Sequence, residues 1–327
     1  MIKSIKEISE IKDVADTITS EVQKHVVGFG DITRSLIIAL LVGGHVLMEG
    51  FPGTGKTLLA TLFARTLGLE VGRIQSTSDL MPSDITGTRI YNPKIQEFEF
   101  KAGPIFGNVI VVDEINRAPP KTQSALLECM QEKQVSVDGF SSKLDIPFMI
   151  IATKNAIEFE GTFPLPEAQL DRFLFRLIME YLDESSEIEI IRRKTEKALD
   201  IKTVVEKSAI VNAMSLIHTE IKAGENVLEY ISEVVRGTSN IPRVVLGGSP
   251  RASVGLLYAA KGYAAVTEGR KYIVPDDVKA VAFEVLNHRL LLRQDTLLDS
   301  PEAREGWGIP YLRKILSDSL DGIAVPI

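Results

Sequence analysis

Asp113 and Glu114 stand side by side in "VIVVDEINRAPP" (109–120), directly after four β-branched apolar residues. A strand that apolar is expected to be buried, yet adjacent carboxylates repel, and burying either without a partner is costly. A matching positive charge is offered by residues 50–57, "GFPGTGKT". They have the Gly-x4-Gly-Lys-Ser/Thr spacing of a phosphate-binding loop, set between an apolar strand (45–49) and the helix "TLLATLFARTLG". Gly50, Pro52, Gly53, Thr54 and Gly55 would wind the backbone so that its N–H groups face phosphate oxygens. The helix that follows adds a favourable dipole from its first residues, Lys56, Thr57 and Leu58. Lys56 would reach the β- and γ-phosphates of ATP, and Thr57 would offer its hydroxyl to Mg²⁺.

The carboxylate pair then has a role. A parallel strand delivers its last side chains to the carboxyl edge of the sheet, where ligands bind. Asp113 there can hold Mg²⁺ together with Thr57, and Glu114 can polarise a water for attack on the γ-phosphate. Charge developing on that phosphate needs neutralising. Asn155 follows the apolar run "FMIIAT" and could orient the water. Arg172 lies beside Asp171 in "LPEAQLDRFLF", and Arg251 sits at the second position of a later helix, from which a guanidinium could reach a nucleotide.

These residues must be carried on elements, and the pattern supplies them. Residues 1–180 alternate helical patterns with the strand candidates 45–49, 71–76, 109–114, 148–153 and 173–180. Continuous apolar strands separated by helices indicate a parallel sheet covered on both faces. Two insertions break the rhythm, and both read as β-hairpins: 87–103, turning near Asn92-Pro93, and 133–148, turning at Asp138-Gly139. Residues 36–48 read as a helix end, a glycine stop at 43–44 and a buried strand. From about Asp183 the runs 185–199, 208–221, 226–236, 251–266 and 275–292 are helical by periodicity. Ser249-Pro250 and Pro275-Asp276-Asp277 mark helix starts. The expectation is an α/β domain over 1–182 and an all-helical domain over 183–327.

Composition narrows the class. With 327 residues, 45% hydrophobic and 25% charged, the chain reads as a soluble globular protein. Its single cysteine, Cys129, excludes an internal disulfide framework, fits a reducing cytoplasm, and is expected to pack beside Leu126, Leu127 and Met130. The start "MIKSIKEISEIKD" lacks the apolar stretch of a signal peptide, and 36–48 is too short to span a bilayer. A net charge of −7 argues against a large DNA-binding face, so nucleic acid is not an expected partner. The four histidines, at 25, 45, 218 and 288, lack metal-ligand spacing, leaving the Mg²⁺ that accompanies ATP as the one metal expected.

Taken together, "GFPGTGKT", "VVDEINRAPPKTQSALLECMQE", "GTFPLPEAQLDRF" and "GGSPRA" resemble the MoxR family of AAA+ ATPases, as does "MPSDITG" (81–87), from about Val26 to Arg289. The resemblance implies a sheet ordered 5-1-4-3-2, an insert in the second helix region (about 80–106), a hairpin before the sensor strand (about 133–148) and a helical lid. It implies ring assembly, commonly hexameric, with ATP between subunits. It makes Lys56 and Thr57 Walker A, Asp113 and Glu114 Walker B, Asn155 sensor 1 and Arg251 sensor 2. Arg172 matches an arginine finger acting on a neighbour's ATP, with Arg117 the alternative, and Val27 and Gly28 match the segment lining the adenine pocket. Two departures stand out: "STSD" (76–79) replaces an aromatic-Thr-Pro run, and Lys154-Asn155-Ala156 replaces Gln-Asn-Pro. The function implied is chaperone-like remodelling or activation of a separate protein, often one with a von Willebrand factor A domain. The alternatives are a helix-2-insert nucleic-acid motor and a magnesium-chelatase-type ATPase subunit. The motor is disfavoured by the second hairpin, which between Gln134 and Leu144 offers Lys143 as its one cation.

Overall fold

The computed structural model describes residues 1–137, 139–156, 161–195, 200–293 and 308–325. In it the apolar runs become five strands: β1 (Val46–Gly50), β2 (Val71–Gln75), β3 (Val109–Asp113), β4 (Met149–Asn155) and β5 (Phe175–Met179). All pair in parallel, in the order β2-β3-β4-β1-β5, which from the other edge is the expected 5-1-4-3-2. The registers Gly50↔Asn155 and Gln75↔Asp113 bring the chemistry-bearing strand ends to one edge of the sheet.

Alternation along each strand sends side chains to opposite faces, and both faces are buried. Val46, Met48, Val109, Val111, Met149 and Ile151 join one apolar cluster with α1 (Ile8–Gln23), α2 (Gly30–Val42) and α3 (Lys56–Thr66). Leu47, Ile110, Val112, Ile150 and Ala152 join the other, with α4 (Pro120–Glu132). Cys129 is buried in that second cluster, where burial pushes its thiol up to about 11, so packing is its role. The run 36–48 resolves as expected: α2 ends at Val42, Gly43 caps it at φ +74, and β1 begins at Val46.

Both insertions are hairpins. Gly87–Asn92 pairs antiparallel with Glu97–Ala102, and Gln134–Val137 with Phe140–Lys143. Of the second turn, Asp138 lies outside the described residues, while Gly139 takes φ +82.

After β5 come α5 (Glu184–Thr195), α6 (Lys207–Glu220), α7 (Glu225–Thr238), α8 (Pro250–Tyr263), α9 (Pro275–Leu286) and α10 (Ile309–Asp321), the last of which the sequence reading did not single out. The end of the run expected at 185–199 falls partly on residues 196–199, outside the described ones. Two expectations need correction. The helix expected over 275–292 stops at Leu286, because His288 and Arg289 turn toward the carbonyls of Phe173 and its neighbours, and Leu291–Leu292 then pairs with Val244–Leu246. The run 251–266 changes to a π turn over Ala264–Glu268, which packs on α1.

Candidate active site

The phosphate loop departs from β1 because Gly50 allows it. A Cβ at that position would collide with the carbonyl oxygen of Met179 on the adjacent strand. Gly53 and Gly55 serve differently: space is open around both, but their φ values of +83 and +86 lie in the left-handed region that side chains disfavour. The turn they make delivers Lys56 and Thr57 to the first turn of α3. Lys56 is 7% exposed, and its Nζ donates to the carbonyls of Gly50 at 2.9 Å and Phe51 at 2.6 Å.

Asp113 closes β3 and is 3% exposed. Its Oδ1 accepts from Thr57 Oγ1 at 2.5 Å, and its Oδ2 from Arg73 Nε at 2.9 Å. Glu114 lies just past the strand at φ 54, ψ 55, a left-handed conformation that non-glycine residues seldom adopt. Its N–H donates to Thr153 Oγ1 at 3.0 Å, which holds the turn against β4. Asn155 Nδ2 donates to Glu114 Oε1 at 2.8 Å, and Arg117 Nε pairs with Oε2 at 2.8 Å. Lys56, Thr57, Arg73, Asp113, Glu114 and Asn155 line a cavity of about 450 Å³ that runs from the phosphate loop to the ends of β2, β3 and β4. A larger cavity, about 560 Å³, lies between α7 and α10 and carries none of the motif residues, so the chemistry selects the smaller one.

The donor set at the bottom of the smaller cavity suits a hard dication. A hydroxyl and a carboxylate, Thr57 and Asp113, already meet at hydrogen-bond distance, and Mg²⁺ needs few protein ligands because it keeps its waters. Thr57 and Asp113 are the residues that would hold it.

The remaining expected residues lie farther out. Among the described residues that line the cavity, neither Arg172 nor Arg251 is found. Arg251 NH1 donates to Asp171 Oδ2 at 3.2 Å. Ser249 occupies the N-cap position of α8 but makes no capping bond; its hydroxyl goes to the same Asp171 oxygen at 3.2 Å. The other Asp171 oxygen takes Arg289 Nε at 2.7 Å. Arg172, next in the chain, is half-buried and has no side-chain partner among the described residues. Arg117, the alternative interface arginine, pairs with Glu114 of its own chain. Gly28 takes φ +73 close against Leu182, beyond β5, and Val27 precedes it. Near this region the rings of Phe51 and Tyr181 stack with centroids 4.7 Å apart. Lys154 is drawn to buried Glu49 at 3.2 Å, with Arg176 on the other Glu49 oxygen at 2.8 Å. Burial raises the pKa of Glu49, but Arg176 and Lys154 outweigh it and hold the carboxyl below its usual range.

The sequence reading missed Arg73 and Thr153. A signal for Arg73 existed: in "VGRIQ" Arg73 and Gln75 alternate with Gly72 and Ile74, which places both polar side chains on one face of β2.

The chain is similar to known proteins in sequence and fold. Residues 45–175 match the family described as "ATPase family associated with various cellular activities (AAA)", and residues 237–305 match the AAA lid domain. Protein YeaC of Bacillus subtilis is 41% identical over 308 residues, 94% of this chain and 93% of that protein. Chaperone MoxR1 of Mycobacterium tuberculosis is 42% identical over 293 residues, 86% of this chain and 77% of its own length. The crystal structure of a candidate ATPase from Cytophaga hutchinsonii superposes with a TM-score of 0.86 at 38% identity, covering 98% of this chain and 97% of that one.

Proposed function

Because this chain belongs to the MoxR family of AAA+ ATPases and is an ATP-hydrolysing enzyme, we propose that it works as a homo-oligomeric ring, hexameric and cytoplasmic, that remodels or activates a separate protein client. The client class we propose is a protein with a von Willebrand factor A domain. The name of the relative MoxR1, a chaperone, supports the remodelling role. No helix among the described residues is long and apolar enough to cross a membrane.

The roles follow from position. Backbone N–H groups of Gly53, Thr54 and Gly55 and the ammonium of Lys56 take the phosphates, with Gly50, Pro52 and Leu58 shaping the loop. Thr57 and Asp113 hold Mg²⁺, which when bound neutralises phosphate charge. Glu114 draws a proton from the attacking water, and Asn155, already on its Oε1, fixes where that carboxylate points. Val27 and Gly28 border the adenine, and Arg251, released from Asp171, reaches the nucleotide from the helical domain. We take the domains as 1–182 and 183–327, although one apolar cluster joins α1 and α2 to α6 and α8 across that division.

The observation that carries the ring reading is the position of Arg172. The cavity holds groups for the phosphates, the metal and the water, while Arg172 lies outside it with no side-chain partner among the described residues. An arginine so placed suits a neighbouring subunit's site. Turnover per subunit, measured with Mg²⁺ across a range of protein concentrations, tests this. A rise with concentration is expected. Appreciable turnover that persists unchanged down to concentrations at which the chain is monomeric by light scattering would refute a site completed between subunits.

A further inference from the structure

Arg73 belongs to no phosphate-loop, Walker or sensor motif, yet it touches the residue proposed to hold the metal. Its Nε lies 2.9 Å from Asp113 Oδ2, while Thr57 occupies Oδ1, so both oxygens of this buried carboxylate are engaged. The fold dictates the contact. Arg73 is in register with Val111 and Gln75 with Asp113, so Arg73 lies two positions behind Asp113 along the shared face, and its side chain spans that distance toward the carboxyl edge. The opposite face of β2 is closed. A Cβ at Gly72 would collide with the Pro104 carbonyl oxygen, and Ile74 is 3% exposed. Arg73 is thereby turned into the cavity wall. Because β2 is an edge strand, its side chain is still 62% exposed and can leave without disturbing the core.

We infer that Arg73 is a positioning residue of the metal site: it neutralises Asp113 while the metal is absent and gives way when the metal arrives. Asp113 carries one negative charge, and a guanidinium and a dication drawn to the same carboxylate repel each other. Without either, a bare buried carboxylate would face the phosphates of an incoming nucleotide. Arg73 therefore lets nucleotide enter in the absence of metal, and the metal binds in competition with it. This rests on the reading of Thr57 and Asp113 as metal ligands.

The test measures affinity of the full-length chain for a fluorescent ADP, once with Mg²⁺ and once with EDTA, and takes the ratio of the Kd in EDTA to the Kd in Mg²⁺. Arg73→Ala is expected to weaken binding in EDTA and tighten it in Mg²⁺. The ratio should rise about three- to tenfold, the range for one charge-assisted, half-exposed pair. Arg73→Lys should return much of the way to wild type. Melting supplies a second readout: Arg73→Ala should melt lower than wild type in EDTA and match it with saturating Mg²⁺ and ADP. An unchanged ratio would overturn the proposal, as would equal weakening in both conditions, which would make Arg73 a phosphate ligand. A melting deficit that persists in Mg²⁺ and ADP would also overturn it, leaving a structural role. Asp113→Asn separates the two readings. If Asp113→Asn keeps the wild-type ratio, the metal-site reading fails. If it collapses the ratio while Arg73→Ala does not move it, the Arg73 proposal alone fails.

Discussion

Glu114 holds its place through three contacts, two of them with β4. Its left-handed backbone is tied to Thr153, and its two carboxylate oxygens are taken by Asn155 and Arg117. None of these contacts involves the phosphate loop, so replacing the carboxylate by an amide should leave the nucleotide cradle intact. Glu114→Gln is therefore expected to bind ATP within about twofold of wild type and to lose at least about a hundredfold in turnover, the usual cost of removing a general base. Phosphate release measured beside nucleotide binding decides it. Near-normal turnover would remove Glu114 from its role.

Between elements, Arg289 makes a buried joint of several hydrogen bonds. Its side chain is 3% exposed and donates to the carbonyls of Asp171, Phe173, Leu174 and Val285 as well as to the Asp171 carboxylate. The turn before β5 is in this way tied to the end of α9, and Ser249 and Arg251 of α8 are tied to the same carboxylate. Asp171→Ala would strip a buried guanidinium of its counter-ion. We expect a loss of about 3 kcal/mol, at the low end for a broken buried pair because the four carbonyls remain. Urea unfolding checks this, and a change below about 0.5 kcal/mol, the level of an ordinary surface substitution, would mean the joint bears little.

For the whole molecule, two expectations concern assembly and pH. If Arg172 serves a neighbour, Arg172→Ala should bind ATP but hydrolyse it poorly. Mixing it with Glu114→Gln subunits, whose arginine is intact, should restore part of the activity; no rescue would count against action between subunits. Stability should also fall on mild acidification. His45 is buried: its Nδ1 accepts from the Ile150 N–H at 3.0 Å and its Nε2 faces the Met130 carbonyl at 3.2 Å, a pairing that requires the neutral ring. Burial lowers its pKa to about 4, and that of His288 well below 6.5. The unfolded chain therefore takes up these protons first. The contribution of His45 is fully present above about pH 6.5 and is lost as pH falls toward 4, at about 1.4 kcal/mol per unit. Urea midpoints from pH 7.5 to 5 should slope accordingly, and less steeply in His45→Gln. Equal slopes would show that His45 is not the source.

The Gly-x4-Gly-Lys-Thr turn, the strand that carries Asp113, most of the order of helices and strands and the family are legible in the sequence, because each of these is written in residues close together in the chain. Eight contiguous residues, 50–57, contain their own conformational instructions in Gly53 and Gly55, and period and burial do the same for a strand. The partners of Asp113, Glu114 and Asp171 come together only in the folded chain. Arg73 and Asp113 are 40 positions apart, Asn155 and Glu114 41, and Arg289 and Asp171 118. Contacts at such separations depend on strand register and on where helices dock. The helix that stops at Leu286, and the serine at 249 that serves Asp171 instead of its own helix, have the same cause. In each case a long-range partner outcompeted the local pattern, and local pattern is all that a single chain of letters displays.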